Sequence, residues 1–152
     1  GDRMDYAIQK ATELGVTTIQ LLTSERCEMR LKYDRDQKKI DHWQSVAIAA
    51  CEQCGMNIVP KILAPLRLED WFNSNLPATK LVLAPNKDQV DVLNNASKDL
   101  ALLIGPEGGL SEAEINAANA VGFENWCIGS RVLRTETAPV VALAILNYRL
   151  AE

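Results

Sequence analysis

Apolar residues recur along this chain in two alternating rhythms, one helical and one extended. Met4, Ile8, Ala11 and Leu14 fall at helical spacing, and Gly15 follows them as a C-terminal cap. Residues 17–22 read as a strand, with β-branched positions and no breaker. Residues 24–39 are polar and mixed in charge, which reads as loop. A second helix is expected from about Lys39 to Cys54, with Ile40, Trp43, Val46, Ala47, Ala50 and Cys51 as its apolar stripe and Gly55 at its end. Residues 58–63 make a short strand whose Pro60 favours an edge or a strand start. A short helix over 68–72, a strand over 80–84 stopped by Pro85 and a helical stretch over 90–96 follow.

Residues 100–104 form an unbroken apolar run, the pattern of a strand buried on both faces of a parallel sheet. Gly105-Pro-Glu-Gly-Gly109 is a loop on any reading. Ser111 and Glu114 have capping-box spacing, and the helix they open ends near Gly122. Residues 126–128 read as another buried strand, broken by Gly129. Residues 137–139 start the last helix, with Pro139 in its first turn, where the missing N–H costs nothing. That helix is apolar nearly all round, so it needs cover on more than one side, and a second subunit would provide it. Strands alternating with helices predict an α/β fold with a mostly parallel sheet, one domain over residues 1–152.

Composition narrows the function. The chain has 152 residues, 47% hydrophobic and 24% charged, as expected of a folded domain rather than a disordered one. No secretory leader and no membrane-spanning apolar run is evident, so a cytoplasmic location is expected. A net charge of −4 argues against gripping nucleic acid by bulk charge; an RNA partner would need local cations or help from another domain. Cys51 and Cys54 form a C-x-x-C, but the chain has four cysteines and one histidine, His42. A zinc site would want a second pair, and a redox motif would open a helix rather than close one, so buried reduced thiols are expected and no metal. His42 is expected to play a solvated or hydrogen-bonded structural part.

Two loops carry the candidate chemistry, each between a buried strand and a helix. In the first, Gly105, Gly108 and Gly109 let a ligand approach the backbone, beyond the carboxyl end of a strand where ligands of open α/β sheets bind. It is neither a P-loop nor a G-x-G-x-x-G, and taken alone it also reads as a tight connection. The second gathers Arg131, Arg134 and Glu136 within six residues, with Gly129, Thr135 and Thr137 around them. Its structural reading is a Thr137 helix cap with Glu136 paired to an arginine. No G-x-S-x-G elbow and no H-E-x-x-H is present.

At these loops the chain resembles the SPOUT methyltransferases, and among them the RsmE-type 16S rRNA (uracil-N3)-methyltransferases. The stretches that carry the resemblance are Ile8-Gln-Lys-Ala-Thr-Glu-Leu-Gly15, Ser24-Glu-Arg26, Ala50-Cys-Glu-Gln53, Leu103-Ile-Gly-Pro-Glu-Gly-Gly-Leu-Ser111 and Arg131-Val-Leu-Arg-Thr-Glu-Thr137. They keep the family's order across nearly the whole chain. The resemblance implies a C-terminal trefoil knot, which general rules of chain threading would not predict. It also implies a homodimer and an S-adenosylmethionine pocket lined by Leu83, Gly105, Pro106, Glu107, Gly108, Gly109, Ile128, Gly129, Leu133, Thr137 and Ala138. Arg134 and Glu136 would be catalytic, and Arg26, Arg30 and Arg131 would contact the 16S rRNA. Two departures stand out. The β-rich, PUA-like RNA-binding domain that begins family members is not in this chain, and Met56 replaces a usual cation. Methylation of another RNA position, such as a ribose 2′-hydroxyl, and a silent dimeric RNA- or ligand-binding module are the alternatives.

Overall fold

Five strands, all in parallel pairs, divide into a three-stranded sheet of order β4-β3-β5 and a two-stranded sheet of β1 and β2. A computed structural model describes residues 2–23, 33–55, 57–85, 91–106, 109–128 and 136–150. In chain order the elements are α1 (Asp2–Glu13), β1 (Thr18–Thr23), α2 (Tyr33–Cys54), β2 (Lys61–Arg67), α3 (Leu68–Phe72), β3 (Thr79–Leu83), β4 (Leu100–Leu103), α4 (Glu112–Ala120), β5 (Glu124–Trp126) and α5 (Thr137–Leu150). The expected α/β class with a mostly parallel sheet flanked by helices is what forms.

Adjacent residues of β3 show how the larger sheet is buried. Val82 and Leu81 point to opposite faces, as pleating requires, and both are essentially inaccessible. Val82 joins Leu103, Leu68, Ala118 and Phe123 on the α3/α4 face. Leu81 joins Trp126, Ala142 and Leu146 on the α5 face. Burying side chains of this size contributes about 1.5–3 kcal/mol each, so the central strand is held from both sides. No described helix is long and apolar enough to cross a membrane.

The smaller sheet lays Leu21 and Ile62 on α1 and α2, against Ile8, Trp43 and Ala47. Its ladder slips once. Gln20 pairs with Leu63 and Leu22 with Leu66, so β2 uses three steps where β1 uses two. Pro65 lies in that extra step and has no N–H to donate. The Gln20 amide donates to the Ala64 carbonyl at 2.7 Å and to the Leu21 carbonyl at 2.8 Å, holding the bulge closed.

Several boundaries differ from those read in the sequence. The loop expected over 24–39 becomes helical at Tyr33, where α2 starts. Charged residues there are adequate helix formers, and an exposed face has no apolar rhythm to betray it. Consequently His42 lies inside α2 rather than at its start, and its Nε2 meets Asp5 Oδ2 of α1 at 2.9 Å. The strand expected over 58–63 begins only after Pro60. Residues 91–96 form turns instead of a helix, because the Asp91 carboxylate accepts from the Leu93 backbone N–H at 3.1 Å and closes a local turn. The strand expected over 126–128 is β5, Glu124–Trp126. Of the C-x-x-C pair, only Cys51 is buried; Cys54 is exposed.

Candidate functional site

Three parallel strands of the larger sheet end in step. Val82 pairs with Leu103 and Leu83 with Trp126, so β4, β3 and β5 deliver their carboxyl ends side by side. Neighbouring strands lie about 4.8 Å apart, so the three exits span roughly 10 Å. Open parallel sheets bind ligands in this position.

The exit of β4 is the glycine-rich turn. Gly109 donates from its backbone N–H to the Pro106 carbonyl at 2.7 Å and has φ +77°, a left-handed conformation that glycine adopts without penalty. A Cβ built there meets nothing within 4 Å, so the chain passes an open space at this point. Gly105 is the opposite case: a Cβ would stand 2.8 Å from Leu110 Cγ and 3.1 Å from the Leu110 backbone nitrogen. The loop folds onto itself across Gly105 and presses Leu110 toward the Val82 core.

Helix α4 anchors that loop. The Ser111 hydroxyl accepts from the Glu114 N–H at 3.1 Å, and the Glu114 carboxylate accepts from the Ser111 N–H at 2.9 Å. The predicted capping box is therefore formed, with Glu114 buried. On the other side, Leu83 at the end of β3 and Ile128 beyond β5 pack in one cluster with Trp126, Ala142 and Leu143. Glu136, Thr137 and Ala138 are half-buried where α5 begins. Thr137 is the first residue of that helix rather than the cap preceding it, and Pro139 lies in its first turn as expected.

Leu83, Gly105, Pro106, Gly109 and Ile128 thus lie at adjoining strand exits, all half-buried. Glu107, Gly108, Gly129, Leu133, Arg131 and Arg134 lie outside the described residues, as do Arg26 and Arg30. Leu110 was not singled out in the sequence; its signal was an apolar residue directly after two glycines. Among the described residues no group of three or more His, Cys, Asp or Glu side chains could hold a metal ion.

Comparison with known proteins fits this geometry. The family model described as RNA methyltransferase domain matches residues 1–147. The ribosomal RNA small subunit methyltransferase E of Buchnera aphidicola (Schizaphis graminum) is 37% identical, over 99% of this chain and 62% of that protein. Its Bacillus subtilis namesake is 31% identical, over 98% and 62%. Among solved structures, a ribosomal RNA small subunit methyltransferase E from Neisseria gonorrhoeae bound to S-adenosyl methionine superposes with a TM-score of 0.87 at 37% identity, covering 99% of this chain and 62% of that one. A Legionella pneumophila chain in complex with the cofactor SAM gives 0.90 at 38%, covering 97% and 62%. The chain spans about three-fifths of the length of the relatives it matches. The resemblance read from the two loops is matched by these relatives, and the chain belongs to the RNA methyltransferase domain family.

Proposed function

We propose that this chain is the cofactor-holding catalytic domain of an enzyme that methylates uridine N3 in 16S rRNA, using S-adenosylmethionine. The observation that carries the reading is the Gly105–Gly109 turn, capped onto α4 beside two further parallel strand exits, in a chain of this family. The relatives' names give ribosomal RNA as the substrate class, and two similar structures hold the methyl donor.

The residues suit such a ligand. Leu83, Pro106, Leu110 and Ile128 are half-buried and apolar, fit for the faces of an adenine ring, while glycine backbone leaves room for close approach. When bound, S-adenosylmethionine supplies an electrophilic methyl group. Residues of this chain then have two tasks. Uracil N3–H is weakly acidic and must lose its proton before N3 can attack, and charge spreads onto the flanking carbonyl oxygens. Arg134 stabilises that charge. Glu136 either takes the proton or orients Arg134. Holding N3 against the methyl carbon supplies much of the remaining acceleration. Arg26, Arg30 and Arg131 provide the local cations for RNA that a net charge of −4 does not.

The proposal extends to assembly. Helix α5 leaves Ala144 and Tyr148 exposed, Tyr148 at 85%, on an element apolar from Ala138 to Leu146, which supports a homodimer built on it. It also includes the C-terminal trefoil knot that the resemblance implies. Calorimetric titration with S-adenosylmethionine tests the cofactor assignment: saturable binding abolished by Gly108→Val is expected, and absence of binding removes the reading. In a protein of the relatives' full length, Arg134→Ala should keep cofactor affinity and lose most turnover. Unchanged turnover takes Arg134 out of the mechanism.

A further inference from the structure

Two asparagines tie α4, β5 and the exit of β3 together. Asn119 Nδ2, on α4, donates to the Phe123 carbonyl at 2.9 Å and to Asn125 Oδ1 at 2.8 Å. Asn125 Nδ2, on β5, donates to the Pro85 carbonyl at 3.2 Å. The ends of this relay fix the direction of both amides. The Phe123 and Pro85 carbonyls only accept, so each must face an amide NH2, and Asn125 Oδ1 is left for Asn119.

The relay takes over where backbone pairing stops. Ala84 donates its N–H to the Trp126 carbonyl at 3.1 Å, one step beyond β3. Pro85, the next residue, has no N–H for a backbone bond of its own. Its carbonyl is instead taken by the Asn125 side chain. Helix α4 thereby reaches two of the exits: its capping box holds the loop after β4, and Asn119, bonded to the Phe123 carbonyl that precedes β5, acts through Asn125 on Pro85 beyond β3.

We propose that Asn125, oriented by Asn119, is a positioning residue that fixes the β3 exit against the β5 exit and so sets the width of the S-adenosylmethionine crevice. The inference rests on the cofactor reading above. Neither asparagine touches the reacting atoms; both act through Pro85.

The test is calorimetric titration of S-adenosylmethionine into the whole 152-residue chain, with melting temperatures measured alongside. Asn125→Leu keeps the size and removes the donor and acceptor; its Kd should rise about fivefold, the scale of one neutral hydrogen bond. Asn125→Asp turns a carboxylate oxygen toward the Pro85 carbonyl and should weaken binding at least as much at neutral pH. Asn119→Ala frees the Asn125 amide without altering β5 and should give a smaller rise, two- to threefold. Gln44→Ala is the stability control. That amide donates to the Pro60 carbonyl at 3.0 Å and accepts from the Ile62 N–H at 3.1 Å in the other sheet, so its loss should lower melting and leave Kd within twofold. Wild-type chain that does not bind S-adenosylmethionine overturns the cofactor reading and this inference together. Wild-type binding with Asn125→Leu within twofold of it overturns the inference alone. So does Gln44→Ala weakening binding as much as Asn125→Leu, since the loss would then follow stability rather than position.

Discussion

Asn147 of α5 donates from Nδ2 to the carbonyl of Leu14 at 2.8 Å, joining the last helix to the end of the first across 133 residues of chain. Leu14 is followed by Gly15 at φ 87°, where α1 has ended and its carbonyls lack helical partners. Asn147→Ala leaves the Leu14 carbonyl to water. A loss of up to about 1 kcal/mol is expected, which lowers Tm by roughly 2–4 °C in a domain of this size, with cofactor affinity unchanged. A thermal melt with a parallel titration checks both halves.

Ser111→Ala removes one arm of the capping box. Such substitutions cost about 0.5–2 kcal/mol. Because the cap also anchors the turn after β4, S-adenosylmethionine affinity should fall with stability. Unaltered affinity at a lowered Tm would separate the cap from the turn.

The two glycines of that turn fail for different reasons when replaced. Gly109→Ala meets no atom but is forced into left-handed backbone, a cost of about 1–2 kcal/mol. Gly105→Ala drives a methyl into Leu110 at both side chain and backbone, so Leu110 must shift out of its packing against the Val82 core. Overpacking of this kind costs about 1–3 kcal/mol. Gly105→Ala paired with Leu110→Ala should regain part of the loss, whereas Leu110→Ala should not help Gly109→Ala; a double-mutant cycle by chemical denaturation decides.

Two solvent-facing carboxylates add to the acid sensitivity of the fold. The His42 side chain bonded to Asp5 holds that carboxyl below its usual 3.8. The Arg149 guanidinium, 2.8 Å from Asp91 Oδ2, followed by the Leu93 backbone N–H, does the same for Asp91. A lowered folded-state pKa gives stability that is present above about pH 4 and lost as pH falls through the folded value. Tm should therefore be flat from neutrality to about pH 5 and decline below pH 4. Asp91→Asn should make that decline shallower, as melts across a pH series would show.

Helix α5 predicts self-association through its exposed side. Ala144→Glu keeps helix propensity and places a charge among apolar neighbours. Sedimentation should report a shift from dimer to monomer. A wild-type chain that sediments as a monomer would remove the dimer from the proposal.

What the sequence revealed depended on whether an element's cause was local. Gly15, Gly55 and the Ser111/Glu114 pair act within a few residues, and each ends or begins its helix as read. The strand at residues 100–103 was legible because an unbroken apolar run has few other uses, but only Leu103 is buried; Leu100, Ala101 and Leu102 are half-buried at the side of the described sheet. The start of α2 was not, since Lys38 and Lys39 are exposed and add no apolar rhythm. Cys127 and Ile128 looked like strand because they are apolar, but the ladder with β3 ends at Trp126, whose carbonyl accepts the last bond from Ala84. The Asn119–Asn125–Pro85 relay was equally hidden: Asn125 and Pro85 stand 40 positions apart, and only the parallel pairing of β3 with β5 brings them together.

The slipped step between Leu63 and Leu66 has a further effect. Leu63 and Leu66 are exposed on β2 of the two-stranded sheet, and exposed apolar side chains on a strand invite intermolecular β-stacking. Pro65 has no N–H to offer an incoming strand, and the bulge breaks the even spacing such a strand would need. Gln20 occupies the Ala64 carbonyl as well. The irregularity thus works as a built-in guard against aggregation, placed on the stretch of strand where the apolar surface is most open.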